Sequence, residues 1–335
     1  MRRLDIHMRH NDAFDTVIRI VRAAEPVDYY VVQPEQQDRK LVHVFLRDES
    51  GQSMMDNLQT ALESETDWRI SLLPIEATAP SLKESVKTET KTGKGSQALR
   101  EEIYSDVVAG ATLNRDFLIL VALSTIVAAA GMNADSAAGV IGAMVIAPLL
   151  GPILGFALGA ALGDRELLFG SGWTLLAGVA VAFAASIVIG FVLEIDLQSR
   201  ELVSRAEVRL DGMALAIAAG SAAAMSMARG QGAVLVGVMV AAALLPPGAA
   251  VGMFLGAGEP ELAGRAALLL ALNVASLVFA ALVVFRLRKI QPRGWLKRKD
   301  AKRAVTINIV LSLAVLAVCI ALIIVLDLGQ RISLG

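Results

Sequence analysis

The sequence predicts a polytopic α-helical membrane protein with a small α+β domain at its N-terminus. Of the 335 residues, 55% are hydrophobic and only 19% are charged, and the mean hydropathy is +0.60. The charge is also uneven, because 33 of the 63 charged side chains lie in residues 1–106. Between Asp116 and Asp164 the only charged residue is Asp135. A soluble domain is therefore expected to precede a membrane domain.

The first predicted domain, residues 1–80, has the pattern βαββαβ. Alternating side chains predict strands, a polar turn PEQQDRK separates the two central strands, and Asn11 or Asp12 is a candidate helix cap. The predicted strands cover 3–8, 27–33, 40–47 and 68–75. The first helix has the apolar positions Phe14, Val17, Ile18 and Val21, and the second covers 53–62. This order is typical of a ferredoxin-like domain. Such a domain either binds a ligand, a partner or a second copy, or serves only for packing; both interpretations remain open.

A solvated linker and an interfacial helix are predicted between the two domains. Residues 81–97 are rich in Ser, Thr, Lys, Glu and Gly without an apolar period. In residues 98–112, Leu99, Ile103 and Val107 are spaced by four, next to charged side chains. This spacing predicts an amphipathic helix that lies at the membrane interface.

About seven membrane spans follow, each close to the twenty apolar residues that a bilayer requires. They are predicted at 115–132, 137–162, 168–193, 211–228, 232–256, 264–286 and 304–326. The corresponding domains are a first membrane repeat (113–193), an extracytoplasmic connector (194–210), a second membrane repeat (211–287), a basic cytoplasmic loop (288–303) and a C-terminal span (304–326).

The orientation is predicted from the basic residues. The segment 286–303 carries nine Lys and Arg residues and one acid, so the positive-inside rule places it in the cytoplasm. Six predicted spans separate this segment from the N-terminal domain, and an even number of crossings returns the chain to the same side. The N-terminal domain is therefore expected in the cytoplasm as well, in agreement with an N-terminus that does not resemble a signal peptide.

An internal repeat relates the two halves of the membrane domain. With a shift of 95 positions, GAMVIAPLLGP (142–152) aligns with GVMVAAALLPP (237–247), and 139–167 has ten identities in 29 positions. The same shift aligns Asp116 with Asp211. Because each unit has three spans, the second unit would enter the membrane from the opposite side, which is the inverted-repeat plan of many secondary transporters. The alternative is chance similarity between two segments rich in Ala, Gly and Leu.

Two longer stretches resemble a known family. AAAGMNADSAAGVIGAMVIAPLLGPILGFALG and GQGAVLVGVMVAAALLPPGAAVGMFLG are similar to the two signatures of the bacterial "domain of unknown function 389" family of hydrophobic membrane proteins. REEIY (100–104) is similar to the stretch before that family's first span. The resemblance covers about residues 98–290. It implies a multi-pass protein of the bacterial inner membrane, and it implies no particular activity.

The proline motifs predict broken helices. Proline removes an amide and clashes with the preceding turn, and a broken backbone at membrane depth is tolerated where it lines a cavity. We expect the two breaks to meet at mid-membrane and to bind a solute with backbone dipoles. The predicted binding residues are Gly142, Pro148, Gly151, Pro152, Gly237, Pro246, Pro247 and Asn273. The alternative is that the prolines only kink helices so that small residues can pack.

Few ionisable groups fall within the spans. Asp116 and Asp211 each lie at a predicted helix start, where a capping role competes with a role as a gate or proton site. No catalytic motif is present, so an enzyme is not expected. Three histidines in the N-terminal domain and the single cysteine, Cys319, predict no metal site and no cofactor.

The leading functional hypothesis is a secondary transporter or facilitator of a small neutral or anionic solute. The alternative hypothesis is a membrane-anchored sensor or scaffold that does not transport and acts through its cytoplasmic domain. The expected partners are membrane lipid, the solute, a coupling ion and a second copy in a homodimer. No nucleic acid is expected among the partners, and the net charge of −1 says nothing on this point.

Overall fold

The structure is a computed structural model of the chain. It describes residues 2–9, 12–33, 39–46, 51–65, 67–75, 99–207, 210–230, 234–288, 290, 306–322 and 324–325. The predicted turn at 34–38, the candidate cap Asn11, the linker 81–97 and most of the basic loop 288–303 lie outside these residues. The chain divides into two compact units, Met1–Ile103 and Tyr104–Gly335.

The first unit contains a four-stranded antiparallel sheet and two helices. The elements are β1 (Arg2–Arg9), α1 (Asp12–Ala23), β2 (Asp28–Val32), β3 (Arg39–Leu46), α2 (Gly51–Ala61) and β4 (Trp68–Pro74). The strands lie in the order β2-β3-β1-β4. The predicted succession of strands and helices is therefore present, with boundaries within two residues of the expected ones at most ends.

Alternation along the strands gives this sheet one covered and one open face. Leu4, Ile6 and Met8 of β1 point into the core together with Val42 and Val44 of β3, and both helices pack there. The intervening side chains, Arg3, Asp5, His7 and Arg9, lie on the opposite face because successive residues of a strand point to opposite sides. The charged residues of β1 that follow Arg2 thus lie on the open face.

The first unit ends within the next helix, α3 (Arg100–Ala111). Its apolar stripe, which consists of Leu99, Ile103, Val107 and Ala111, is at most 5% exposed. The predicted helix and its spacing are confirmed, but the stripe packs inside the protein and does not form a free apolar face. The interfacial position of this helix stays a prediction.

The second unit consists of apolar helices. They are α4 (Arg115–Asn133), α5 (Ala137–Ile146), α6 (Leu150–Leu162), α7 (Arg165–Val192), the short α8 (Arg200–Val203), α9 (Leu210–Ala228), α10 (Val234–Gly256), α11 (Pro260–Leu287) and α12 (Thr306–Leu322). Among the described residues, α4, α7, α10 and α11 are long and apolar enough to cross a membrane, and the bent pair α5–α6 makes a fifth span if counted as one. α9 and α12 are shorter apolar helices.

Large apolar side chains cover the outside of these helices. They include Ile119 and Leu123 on α4, Ile141 on α5, and Phe169, Trp173 and Phe191 on α7, which are 50–74% exposed. A water-soluble monomer rarely exposes apolar patches of this extent. The chain is therefore a membrane-embedded helical protein, as its composition predicts.

The helix boundaries repeat along the chain with the shift found in the sequence. α9 begins and ends 95 residues after α4, and α11 begins and ends 95 residues after α7. The left-handed residue Gly163 before α7 also corresponds to left-handed Gly258 before α11. We call α4–α7 the first segment and α9–α11 the second segment.

The connector between the two segments is held by the turn after α4. Asn133 donates a hydrogen bond to the carbonyl of Glu194 (3.1 Å) and accepts one from the amide of Asp196 (2.9 Å). Asp135 accepts from the amide of Glu201 at 2.9 Å and from Ser199. A φ of 49° at Asp135 orients this turn, and Asn and Asp tolerate such a conformation better than most residues.

Candidate functional site

The first proline motif breaks its helix as the sequence predicts. α5 ends at Ile146, Ala147 is extended with ψ 119°, and α6 starts at Leu150 with a bend of 53° between the two helices. Pro148 lacks the amide that would bond to the carbonyl of Met144, and the residue before a proline disfavours the helical conformation. Pro152 lies in the first turn of α6, where the missing amide costs nothing.

The second proline motif does not break its helix, so that prediction is wrong. α10 is continuous from Val234 to Gly256 with Pro246 and Pro247 inside it. Pro247 deprives the carbonyl of Ala243 of its usual donor, and the side-chain amide of Asn273 on α11 donates to that carbonyl at 2.8 Å. This bond from a neighbouring helix replaces the one that proline removes, which allows the helix to continue in an apolar surrounding.

The predicted binding glycines have different surroundings. At Gly142 an added Cβ would meet nothing within 4 Å, and this part of α5 is exposed. At Gly151 an added Cβ would collide with the backbone of Gly110, because α3 and α6 cross there. Gly237 lies next to Leu150, whose Cδ2 is 3.6 Å from the position of an added Cβ. Close helix packing thus accounts for Gly151, and the two proline motifs approach each other at Gly237 and Leu150.

A small cavity of about 20 Å³ lies where the two segments meet. Its walls are entirely apolar: Val121, Leu149, Leu175, Gly178, Val179, Ala182, Phe183, Leu244, Leu245, Gly248, Leu270 and Val274. Three pairs of these residues are related by the shift of 95 positions, namely Leu149 and Leu244, Leu175 and Leu270, and Val179 and Val274. The cavity therefore lies between corresponding parts of both segments. It offers room for about one water-sized molecule and no hydrogen-bonding side chain.

Of the predicted binding residues, none lines this cavity, although several adjoin residues that do. Pro148 and Pro247 are sequence neighbours of the lining residues Leu149 and Gly248, and Asn273 is a neighbour of Val274. Asn273 is 6% exposed, and its carbonyl oxygen Oδ1 has no hydrogen-bond partner among the described residues. The cavity lining itself was missed, since apolar residues in an apolar segment carry no distinguishing signal.

The two aspartates occupy equivalent backbone positions. Asp116 is the second residue of α4 and Asp211 the second residue of α9. Asn114, rather than Asp116, caps α4, because its side chain accepts a hydrogen bond from the amide of Phe117 at 2.7 Å. Asp116 is exposed in the first turn, where a carboxylate favours the positive end of the helix. The Asp211 side chain lies outside the described residues.

The first unit contains a polar network that sequence reasoning missed. Asp5 accepts hydrogen bonds from His43 Nδ1 (2.7 Å) and Arg3 (2.9 Å), and it is 7% exposed. The ring of Tyr30 lies 4.8 Å from that of His43. Burial alone would raise the pKa of Asp5, but the hydrogen bonds and charges of His43 and Arg3 outweigh it, and the pKa lies below its ordinary value. Alternation could have placed these residues on one face, but not their contacts.

Comparison with known proteins identifies the family of this chain. The family model described as "Domain of unknown function (DUF389)" matches residues 144–279, which include both proline motifs. An uncharacterised protein of Methanocaldococcus jannaschii is 30% identical over 237 residues, which are 71% of this chain and 73% of that protein. No solved structure matches the chain. The class is thus a helical membrane protein with an N-terminal α+β unit. The chain belongs to the DUF389 family.

Proposed function

We propose that this protein is a secondary transporter or facilitator in which two inverted repeats enclose the path of a small neutral or anionic solute. The observation that carries the proposal is the cavity between corresponding residues of the two segments, beside one broken helix. A pore that narrows to apolar side chains closes by excluding water. The described conformation would then be the closed one, with Leu149 and Leu244 as the constriction.

The proposal also covers the number of spans, the location of the first unit and the partners. Seven spans result if the pair α5–α6, α9 and α12 each cross the membrane, and the first unit is then cytoplasmic in a bacterial inner membrane. Its strand order, β4-β1-β3-β2, is typical of a ferredoxin-like domain. The same proposal includes a coupling ion, contacts with lipid and a homodimer. It includes no catalytic activity.

Flux through proteoliposomes tests the proposal. The probes are urea and glycerol as neutral solutes, and chloride and formate as anions. Leu149→Ser and Leu244→Ser place a hydroxyl in the constriction, and we expect each to raise the flux of at least one probe by about tenfold. Leu176→Ser is the matched control, because Leu176 is 62% exposed on the outside of α7. Unchanged flux in both constriction variants would contradict a path at this place.

A second candidate function is a membrane-anchored sensor or scaffold that does not transport. The fully apolar lining and the volume of only about 20 Å³ favour it, since a polar solute finds no partner there. This candidate predicts no flux of any probe in the wild type and in both constriction variants. It further predicts that Pro152→Leu and Pro247→Leu affect stability alone.

A further inference from the structure

Four basic residues lie together at one end of the open face of the sheet in the first unit. They are His7 and Arg9 of β1, Arg39 of β3 and Arg69 of β4; we call this group the basic end. His7 lies directly opposite Arg69 in the register of β1 and β4, and Arg9 lies directly opposite Arg39 in that of β1 and β3. Residues that face each other in this way share one face of the sheet.

The charge of the basic end is only partly compensated. The carboxylate of Asp67 accepts hydrogen bonds from Arg39 at 2.8 Å and from Arg9 at 3.2 Å, both at the same oxygen. Arg69 and His7 have no ion-pair partner in the part of the chain that the structure describes. Within the described ranges, three guanidinium groups therefore face one carboxylate. Like charges directly opposite each other destabilise a sheet, so an anion bound here would relieve repulsion.

At the other end of the same face, the positive charges are compensated. There Arg3, Asp5 and His43 satisfy one another within 2.9 Å, and Asp5 is buried. The excess of positive charge is thus confined to the basic end and is not a general property of this face.

A cavity of about 260 Å³ adjoins the basic end. Its lining consists of His7, Met8, Arg39, Asp67, Trp68, Arg69 and Ser71. The two arginines and the Ser71 hydroxyl are hydrogen-bond donors. The side chains of Met8 and Trp68 belong to the core on the other face of the sheet. This volume lies just below the range of about 300–1,000 Å³ that is typical of small-molecule sites.

We propose that this cavity binds an anionic phosphate group. The planar guanidinium groups of Arg39 and Arg69 bind the phosphate oxygens, since their donors match two oxygens at once. Ser71 donates a further hydrogen bond to a phosphate oxygen. The phosphate belongs either to a soluble metabolite or to the headgroup of an anionic lipid. The site is independent of solute flux, and it gives the first unit a ligand in both candidate functions.

Isothermal titration of the full chain in a neutral detergent tests the soluble source, with adenosine monophosphate and inorganic phosphate as probes. We expect both probes to bind, because each presents an anionic phosphate group to Arg39 and Arg69. Arg69→Gln should weaken binding by about tenfold or more, whereas Arg69→Lys keeps the charge and should lose less. Arg19→Gln is the matched control, because Arg19 is an exposed arginine of α1 that donates to Thr16 and does not line this cavity.

Nanodiscs test the lipid source, with phosphatidylglycerol compared with phosphatidylcholine alone. Protection of β4 from hydrogen exchange by phosphatidylglycerol, lost in Arg69→Gln and retained in Arg19→Gln, would assign the phosphate to a lipid. The proposal is overturned if no probe at about 10 mM and no lipid produces a response. It is equally overturned if Arg69→Gln and Arg19→Gln respond alike. Unchanged exchange of β1 and β3 in Arg69→Gln verifies that this variant is folded.

Discussion

Asn273 donates its side-chain amide to the carbonyl oxygen of Ala243 at 2.8 Å, and that carbonyl lies four residues before Pro247. In a regular helix the amide of the fourth following residue donates to this carbonyl. Here that residue is Pro247, which has no amide hydrogen. The donor comes instead from the middle of α11. Asn273, which the sequence suggests as a ligand for a solute, thus stabilises the backbone of the neighbouring helix α10.

The first prediction concerns this bond. Asn273→Ala leaves the Ala243 carbonyl without a donor in an apolar surrounding, and we expect a loss of about 1–2 kcal/mol in the free energy of unfolding. In a Pro247→Ala background the helix supplies its own amide, so the same change should cost much less. Unfolding in mixed micelles of the wild type, both single variants and the double variant measures this coupling.

Ser276→Ala provides the control for that cycle. Ser276 is buried on the same helix, and its hydroxyl bonds to the carbonyl of Leu272 within that helix at 2.7 Å. Ser276→Ala should therefore lower the free energy of unfolding by the same amount with and without Pro247. An equal cost of Asn273→Ala in both backgrounds would show that the Asn273 amide does not compensate for Pro247.

The second prediction separates two glycines of one motif. Gly151→Ala forces a Cβ against the backbone of Gly110, where neither helix can yield easily, and should destabilise the chain by about 1–3 kcal/mol. Gly142→Ala meets open space and should be neutral or stabilising by up to about 1 kcal/mol, since alanine favours the helix. Thermal unfolding of the two variants in the same detergent compares them directly. Equal stability of both would contradict the close crossing of α3 and α6.

The third prediction concerns the pH dependence of the first unit. Because the pKa of Asp5 is lowered in the folded state, its contribution to stability is complete above the ordinary pKa of about 3.9 and is lost as the pH falls through the lowered value. Asp5→Asn should therefore cost about 1–3 kcal/mol at neutral pH, and this difference should shrink below about pH 4.

Urea unfolding of the full chain measures this difference, with Trp68 as the fluorescent reporter after Trp173→Phe and Trp295→Phe. Asp15→Asn on α1 is the control, because Asp15 is an exposed carboxylate. A difference between Asp5→Asn and the wild type that stays constant down to about pH 2 would refute the assigned linkage.

The fourth prediction concerns the connector between the segments. Asp135→Ala removes the acceptor for Ser199 and for the Glu201 amide, and it places alanine at a φ of 49°. We expect faster hydrogen exchange and faster proteolysis in residues 194–206. Asp135→Asn retains one acceptor and tolerates the backbone conformation, so it should change both rates much less. Rates in Asp135→Ala that equal those of the wild type would show that the connector does not depend on Asp135.

Local patterns predicted most of the elements. The strands and helices of the first unit follow from alternation and helical spacing, and the apolar helices follow from uninterrupted hydrophobic runs. The shift of 95 positions located the boundaries of α9 and α11 relative to α4 and α7. These features depend on neighbours in sequence, which is why composition and period suffice to find them.

The candidate site was predictable only in part. The break at Pro148 follows from the chemistry of proline, and Gly237 and Leu150 do bring the two motifs together. The apolar cavity, the crossing at Gly110 and the network of Asp5 with His43 depend on side chains that are far apart in sequence. The periodicity of a sequence does not show which apolar faces contact each other in the folded protein.

By itself, the sequence determined a membrane-embedded helical chain with an N-terminal α+β unit and two related proline motifs. The tertiary structure decided what those motifs become. In the second segment, Asn273 on α11 supplies a donor to α10, and the helix continues through two prolines. In the first segment, Pro148 stands where the second segment has Ala243, and the helix breaks there. A proline removes a hydrogen bond locally, and at Pro247 a donor from another helix replaces it.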